Sequence, residues 1–302
     1  MNENRIILVG NGINDAQKIS WSKLLNYLQE KLEDENLLKS ESKINAFSSS
    51  ISPTLLYEHI VKNASANDKK IRNIIKNYVE DKSNFVQKIW SLYDVVLTTN
   101  FDNNLVINKA NIQENHEDIK SKKLTDHDSF LRRHLDFTYD KKQKKIFFIH
   151  GYFRQPETIC LGFEQYTENL KRIENYTVER FSEKKKSKKQ NKNKRINWID
   201  YFFNDDTEID ILGLNLGPEE VDLWWILNFR AKLIQKNKIN NRIRYFDLKP
   251  EADNHKLIDK QNLFSSMKIE VEKIEKASDY DSDFYSFCLK KIEKEKKIES
   301  KQ

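Results

Sequence analysis

At 302 residues, with 38% hydrophobic and 33% charged side chains, the chain suits one large α/β domain, with or without an inserted module. No apolar stretch approaches the roughly 20 residues that span a bilayer. The opening Met-Asn-Glu-Asn-Arg lacks a signal-peptide core. Cys160 and Cys288, the only cysteines, are too few for a four-cysteine zinc ribbon and give no disulfide framework, so a cytoplasmic protein with reduced core thiols is expected.

The net charge of +6 is unevenly placed. Between Ser182 and Arg195, eight basic residues stand against Glu183 alone, a local +7 that leaves −1 for the rest of the chain. This run has no apolar period. It reads as a solvated low-complexity loop at about 182–195, with a nucleic-acid strip the less favoured alternative because no aromatic residue interrupts it.

In chain order, Ile6 to Val9 is a buried strand, and Asn14 or Asp15 is placed to cap a helix carrying Trp21, Leu24, Leu25, Leu28 and Leu32 at helical spacing. Ser52-Pro53 is an N-cap and first-turn pair for a helix through about Val61. Two further helical periods follow, Ile71 to Tyr78 and Phe85 to Trp90. The stretch of about 36–92 is therefore a helical insertion, a layer or subdomain within a single domain spanning 1–302. Val95 to Leu97 is the central strand. From Asn103 to Lys145 the pattern is polar and irregular, with a short helix near Phe130 to Leu135.

Ile146 to Ile149 resumes the sheet, Thr158 to Leu161 is a candidate strand, and a long helix starts near Phe163. Ile196 to Phe203 is a short amphipathic piece. The strand Ile209 to Leu212 leads into a helix with Val221, Trp224, Trp225, Leu227 and Leu233, whose first-turn Glu219, Glu220 and Asp222 suit the helix dipole. Arg242 to Leu248 and Met267 to Ile274 are late strands, and Phe284 to Ile292 a last helix. The fold class is α/β, Rossmann-like, with a mainly parallel sheet.

Of six glycines, all but Gly162 lie at the ends of these strands, where ligands of open α/β sheets sit. Gly10-Asn11-Gly12-Ile13-Asn14 brings backbone amides and a helix start toward a diphosphate, although a tight turn without a ligand satisfies the same residues. Asp15 stands where a dehydrogenase fingerprint needs its third small residue. Thr98-Thr99-Asn100-Phe101-Asp102 offers hydroxyls, an amide and a carboxylate for a ribose, an amide or a water, or else a plain helix cap. His150-Gly151 puts an imidazole in the same crevice, suited to general-base work or to orienting a hydroxyl. The other histidines show no metal-ligand spacing, and no metal is expected.

Taken together, Gly-Asn-Gly-Ile-Asn, Thr-Thr-Asn-Phe-Asp, His-Gly and Gly-Leu-Asn-Leu-Gly resemble the NAD-binding signature of the sirtuin fold, across about residues 5 to 248. The sequence is most similar to the sirtuin-like NAD-hydrolase domains of bacterial antiphage defence, whose last glycine strand precedes a helix like Glu220-Val221-Asp222-Leu223-Trp224-Trp225. Abortive-infection proteins with a similar opening are a neighbouring possibility. The resemblance implies that Gly10, Gly12, Ile13 and Asn14 cradle the pyrophosphate, with Thr98 and Thr99 on the nucleotide side. It implies that Asn100 places the nicotinamide ribose or the water, that Asp102 holds the carboxamide or the loop, and that His150 acts on ribose hydroxyls or activates water. Gly213 and Asn215 would flank the adenosine phosphate or ribose, and Asp247 would reach the adenine ribose.

Deacylating sirtuins carry a four-cysteine zinc module, and this chain has no such set. Water is therefore the expected acceptor, with NAD+ as substrate. The resemblance implies an abortive-infection effector that cleaves NAD+ and is held in check as a homo-oligomer or by a separate regulatory protein such as an ATPase or sensor. The alternative is a non-catalytic NAD or ADP-ribose-binding sensor or scaffold subunit.

Overall fold

The computed structural model describes residues 5–15, 21–46, 50–78, 85–102, 104–106, 129–181, 197–275, 277 and 279–299. The expected basic loop at 182–195 lies outside them, as does much of 103–145.

Seven strands among these residues form one sheet: β1 (Arg5–Val9), β2 (Val95–Thr98), β3 (His134–Tyr139), β4 (Lys142–Phe148), β5 (Glu208–Leu212), β6 (Arg242–Leu248) and β7 (Glu270–Ile274). Their spatial order is β3-β4-β2-β1-β5-β6-β7, and every neighbouring pair is parallel except β3 with β4. Without β3, this is the order of a doubly wound nucleotide-binding sheet, in which β1 and β5 flank the point where the winding reverses. On the β1 side of this point, β1 and β2 carry the apolar runs Ile6 to Val9 and Val95 to Leu97 because both of their faces are covered. All residues of β1 and β2 are buried.

The helices are α1 (Gly12–Asp15), α2 (Trp21–Asp34), α3 (Pro53–Asn63), α4 (Asp68–Lys76), α5 (Val86–Leu92), α6 (Ser129–Arg132), α7 (Phe163–Phe181), α8 (Val221–Gln235), α9 (His255–Ser266) and α10 (Ser282–Glu299). Alternate residues of β1 point to opposite faces. Ile6 and Leu8 pack with α7, α8 and the 3-10 turn Trp198–Phe203, whereas Ile7 and Val9 pack with α5 and α10. Helices α2, α3 and α4 surround a third apolar cluster of Leu24, Leu28, Leu32, Leu56, Ile60, Ile71 and Ile75, which also takes in Ile159 and Leu161. Local chemistry starts two of them. Ser52 accepts from the Leu55 amide ahead of Pro53, and Asn67 accepts from the Lys70 amide at 2.9 Å.

Under the β5 side of the sheet, Asp210 is fully buried between two guanidinium groups. Arg5 Nε donates to it at 3.0 Å and Arg244 Nε at 2.7 Å, Tyr93 adds its hydroxyl, and Glu295 of α10 accepts from both arginines. This network pins α10 to the strands.

The structure differs from the sequence expectations in five places. Asn14 and Asp15 do not stand ahead of a helix as its cap; they lie within α1. Residues 134–139 are a strand, joined to β4 by Asp140 and Lys141, both with positive φ, as a two-residue hairpin turn requires. The expected strand from Thr158 to Leu161 is instead a 3-10 turn, Pro156–Thr158, followed by a segment without a ladder. Trp198–Phe203 is buried rather than amphipathic. Finally, α9 forms the crossover between β6 and β7, a segment whose periodicity does not mark a helix; Asn254 caps it by accepting from the Leu257 amide at 3.2 Å. Among the described residues no helix is long and apolar enough to cross a membrane.

Candidate functional site

A cavity of about 430 Å³ opens over the carboxyl ends of the central strands. Its lining includes Gly12, Thr99, Asn100, Asp102, His150, Gly213 and Asn215, so residues from four separate strand ends meet there. Trp21, Ser22 and Leu24 of α2 also line it, as does Tyr78 just beyond α4.

The β1 and β5 loops are joined by their backbones. Gly10 N donates to Leu212 O at 3.0 Å and Gly12 N to Gly213 O at 2.7 Å. A Cβ on Gly12 would stand 2.8 Å from Gly213 O and 2.6 Å from the Tyr285 hydroxyl. These glycines therefore serve the close approach of two loops, and the amides of Gly10 and Gly12 are occupied within the protein. Asn14 N is likewise bound, to Asn11 O at 2.8 Å. Ile13 is part of the core behind the cavity.

Thr98 ties β2 to β1. Its hydroxyl donates to Val9 O at 3.0 Å and accepts from Asn100 N at 3.0 Å. This fixes the Asn100 backbone, and the side-chain Nδ2 reaches Gly10 O at 3.3 Å. Asn100 is 5% exposed, lines the cavity, and its Oδ1 has no partner. A buried amide oxygen without a partner costs free energy unless something donates to it. Asp102 lines the same wall, but Oδ2 accepts from Asn14 Nδ2 at 3.1 Å and Oδ1 from Asn104 N at 2.7 Å. Burial pushes its carboxyl up to about 6, against the pull of those hydrogen bonds. It acts as a tie between the β1 and β2 loops.

His150 follows β4, and the positive φ of Gly151 turns the chain away immediately behind it; a Cβ at Gly151 would strike the backbone of Thr158 and Ile159. Arg72 of α4 holds this second segment by donating to the carbonyls of Pro156 and Ile159. His150 Nε2 lies 3.0 Å from Asp222 Oδ2, and both side chains are buried. Nδ1 faces the Tyr166 hydroxyl of α7 at a longer 3.5 Å. Burial lowers the imidazole pKa, but the adjacent Asp222 carboxylate and its hydrogen bond more than offset this and hold it above the ordinary value.

Three site residues escape a reading of the sequence. Asp222 reads there as a helix-dipole residue, whereas the fold turns it inward beneath His150, where Oδ1 also accepts from Leu223 N at 2.8 Å. Glu220 lines the cavity with an unpartnered Oε2, and burial lifts its carboxyl to about 7. Lys260 reaches the cavity from α9. For Asp222 the signal is its place in the first turn of a helix that follows a glycine strand end. Lys260 leaves none, because α9 itself carries no clear pattern. Asp247 ends β6 fully buried and does not line the cavity; its oxygens accept from Tyr280, Leu248 N and Gln261, and of these Tyr280 lines it.

Among the described residues, no group of three or more histidine, cysteine, aspartate or glutamate side chains is arranged to hold a metal ion. Compared with known proteins, the chain matches no protein-family model and no curated protein.

Proposed function

We propose that the protein hydrolyses the N-glycosidic bond of NAD+, releasing nicotinamide and ADP-ribose. The observation that carries this reading is the pairing, across one cavity at the winding reversal of a Rossmann-like sheet, of a buried asparagine oxygen without a partner and a histidine oriented by a buried aspartate. Cleavage breaks the bond between ribose C1′ and the pyridinium nitrogen, whose electron pair leaves with nicotinamide. Positive charge builds at C1′ until a water oxygen bonds there and releases a proton.

Each group suits one part of this step. The Asn100 oxygen offers a fixed dipole to the ribose hydroxyls or to the attacking water, with no reorganisation as charge develops. Neutral His150, its Nε2–H held by Asp222, keeps a lone pair on Nδ1 to take the proton, directly or through the Tyr166 hydroxyl. Thr98 and Asp102 hold the two loops in register. We further propose, on the order of the four strand-end motifs, that this activity serves antiphage defence by depleting NAD+, under the control of self-assembly or of a separate partner.

One observation favours a second reading, a non-catalytic NAD or ADP-ribose-binding subunit: both His150 ring nitrogens already face protein partners. The test is NAD+ consumption with product chromatography for wild type beside Asn100→Ala and His150→Ala. Loss of NAD+ in the wild type alone, with ADP-ribose and nicotinamide appearing together, is the expected result. Turnover surviving in both variants refutes the site. Tight NAD+ binding without turnover selects the second reading.

A further inference from the structure

Lys260 is the only lysine or arginine among the described residues that line the cavity. Its ammonium lies over two rings, with Nζ 5.1 Å from the centroid of Tyr245 and 5.7 Å from that of Phe264. The ammonium donates to the Tyr245 hydroxyl at 3.0 Å and to Asn215 Oδ1 at 3.2 Å. The Tyr245 hydroxyl in turn donates to Leu214 O at 2.7 Å, which fixes it as an acceptor toward the lysine. Both acceptors are neutral. An ammonium has three N–H donors, and these two bonds leave one of them open.

Among the described residues, neither neighbouring carboxylate is hydrogen-bonded to Lys260. Asp247 is occupied by Tyr280, Gln261 and Leu248 N, and Glu220 keeps an unpartnered oxygen. None of the ion pairs among the described residues includes Lys260. Burial accordingly lowers its pKa, with Asp247 and Glu220 acting in the opposite direction. A half-buried ammonium held by neutral oxygens, beside the β5 loop at the winding reversal, is suited to meet an anion. The glycine loops leave this role open, because the amides of Gly10 and Gly12 already donate to Leu212 and Gly213.

We propose that Lys260 is the anion-binding group of this cavity and holds a phosphate of a nucleoside diphosphate ligand. The proposal rests on reading the cavity as a dinucleotide site, and it names which side chain meets the ligand's negative charge. Asn215 and Tyr245 aim the ammonium, which lies over the rings of Tyr245 and Phe264. A phosphate oxygen would complete the third donor and replace the water lost on burial, as a point-charge contact.

The test is calorimetric titration of the full chain with ADP and with adenosine, in wild type, Lys260→Met and Lys260→Arg, with thermal unfolding of each as a check on folding. Methionine keeps an unbranched side chain of similar length and removes the charge. The wild type should bind ADP more tightly than adenosine, Lys260→Met should lose about ten- to a hundredfold of the ADP affinity and none of the adenosine affinity, and Lys260→Arg should retain most of it. NAD+ and NADP+ form two further arms. Equal losses for both place Lys260 at the diphosphate; a larger loss for NADP+ places it at the ribose 2′-phosphate. Wild type binding ADP no better than adenosine, or Lys260→Met binding ADP like wild type, overturns the proposal. If ADP behaves as expected and NAD+ is not cleaved, the hydrolase reading fails and the assignment of Lys260 stands.

Discussion

Asp222→Asn changes one charge and almost no volume at the most enclosed part of the site. Asp222 has no exposed surface and His150 only 3%. In the native pair, Oδ1 accepts from Leu223 N and Oδ2 faces His150 Nε2. An asparagine that keeps its oxygen on Leu223 N turns an NH2 group toward Nε2. The imidazole must then carry its proton on Nδ1, which removes the lone pair facing Tyr166 and the cavity.

The energetic consequence depends on pH, and its sign follows from the direction of the His150 shift. The folded-state pKa lies above 6.5, so the imidazolium–carboxylate pair adds stability that is fully present below 6.5 and is lost as pH rises through the folded value. A buried hydrogen bond to a charged group is worth about 1.5–3 kcal/mol. Urea unfolding at about pH 5.5 should show a loss of that size for Asp222→Asn, and a smaller loss at about pH 9, because the imidazolium is lost as pH rises through the folded value. A histidine titration by NMR should show the His150 pKa dropping below 6.5, because burial then acts with little opposition. Equal destabilisation at both pH values, or an unmoved His150 titration, refutes the argument. Where the wild type hydrolyses NAD+, kcat/KM should fall as pH drops through the raised pKa, and Asp222→Asn should lower kcat more than it changes KM.

Two further outcomes test the fold around the site. Gly12→Ala forces a methyl group against Gly213 O and the Tyr285 hydroxyl, and should cost about 1–3 kcal/mol in urea unfolding, with part recovered by adding Tyr285→Phe. Asp210→Ala leaves Arg5 and Arg244 without the one fully buried carboxylate between them and should cost about 3–5 kcal/mol in the same assay; a loss below 1 kcal/mol would mean that Glu295 suffices.

The elements with strong patterns are legible in the chain itself. Ile6 to Val9 and Val95 to Leu97 are apolar on both faces because helices cover both sides of the sheet, Ile209 to Leu212 is interrupted only by Asp210, and Ser52-Pro53 announces α3. The hairpin strand β3 is legible in principle from Leu135, Phe137 and Tyr139 alternating with polar neighbours. Its turn, Asp140-Lys141, lacks the glycine that usually marks such a reversal. Helix α9 is implied once β6 and β7 are taken as parallel, since parallel neighbours need a long crossover.

The site divides along the same line. Sequence alone determined that Gly12, Thr99, Asn100, Asp102, His150, Gly213 and Asn215 stand just beyond strand ends, and the parallel sheet gathers such ends at one edge. Only the tertiary structure decided which of their polar atoms remain open. Hydrogen bonding is a pairing between distant segments, and local patterns do not contain it. That pairing occupies the amides of Gly10 and Gly12, closes Asp102 and Asp247 within the protein, leaves the Asn100 oxygen unpartnered, and brings Asp222, 72 residues away in the chain, to hold His150.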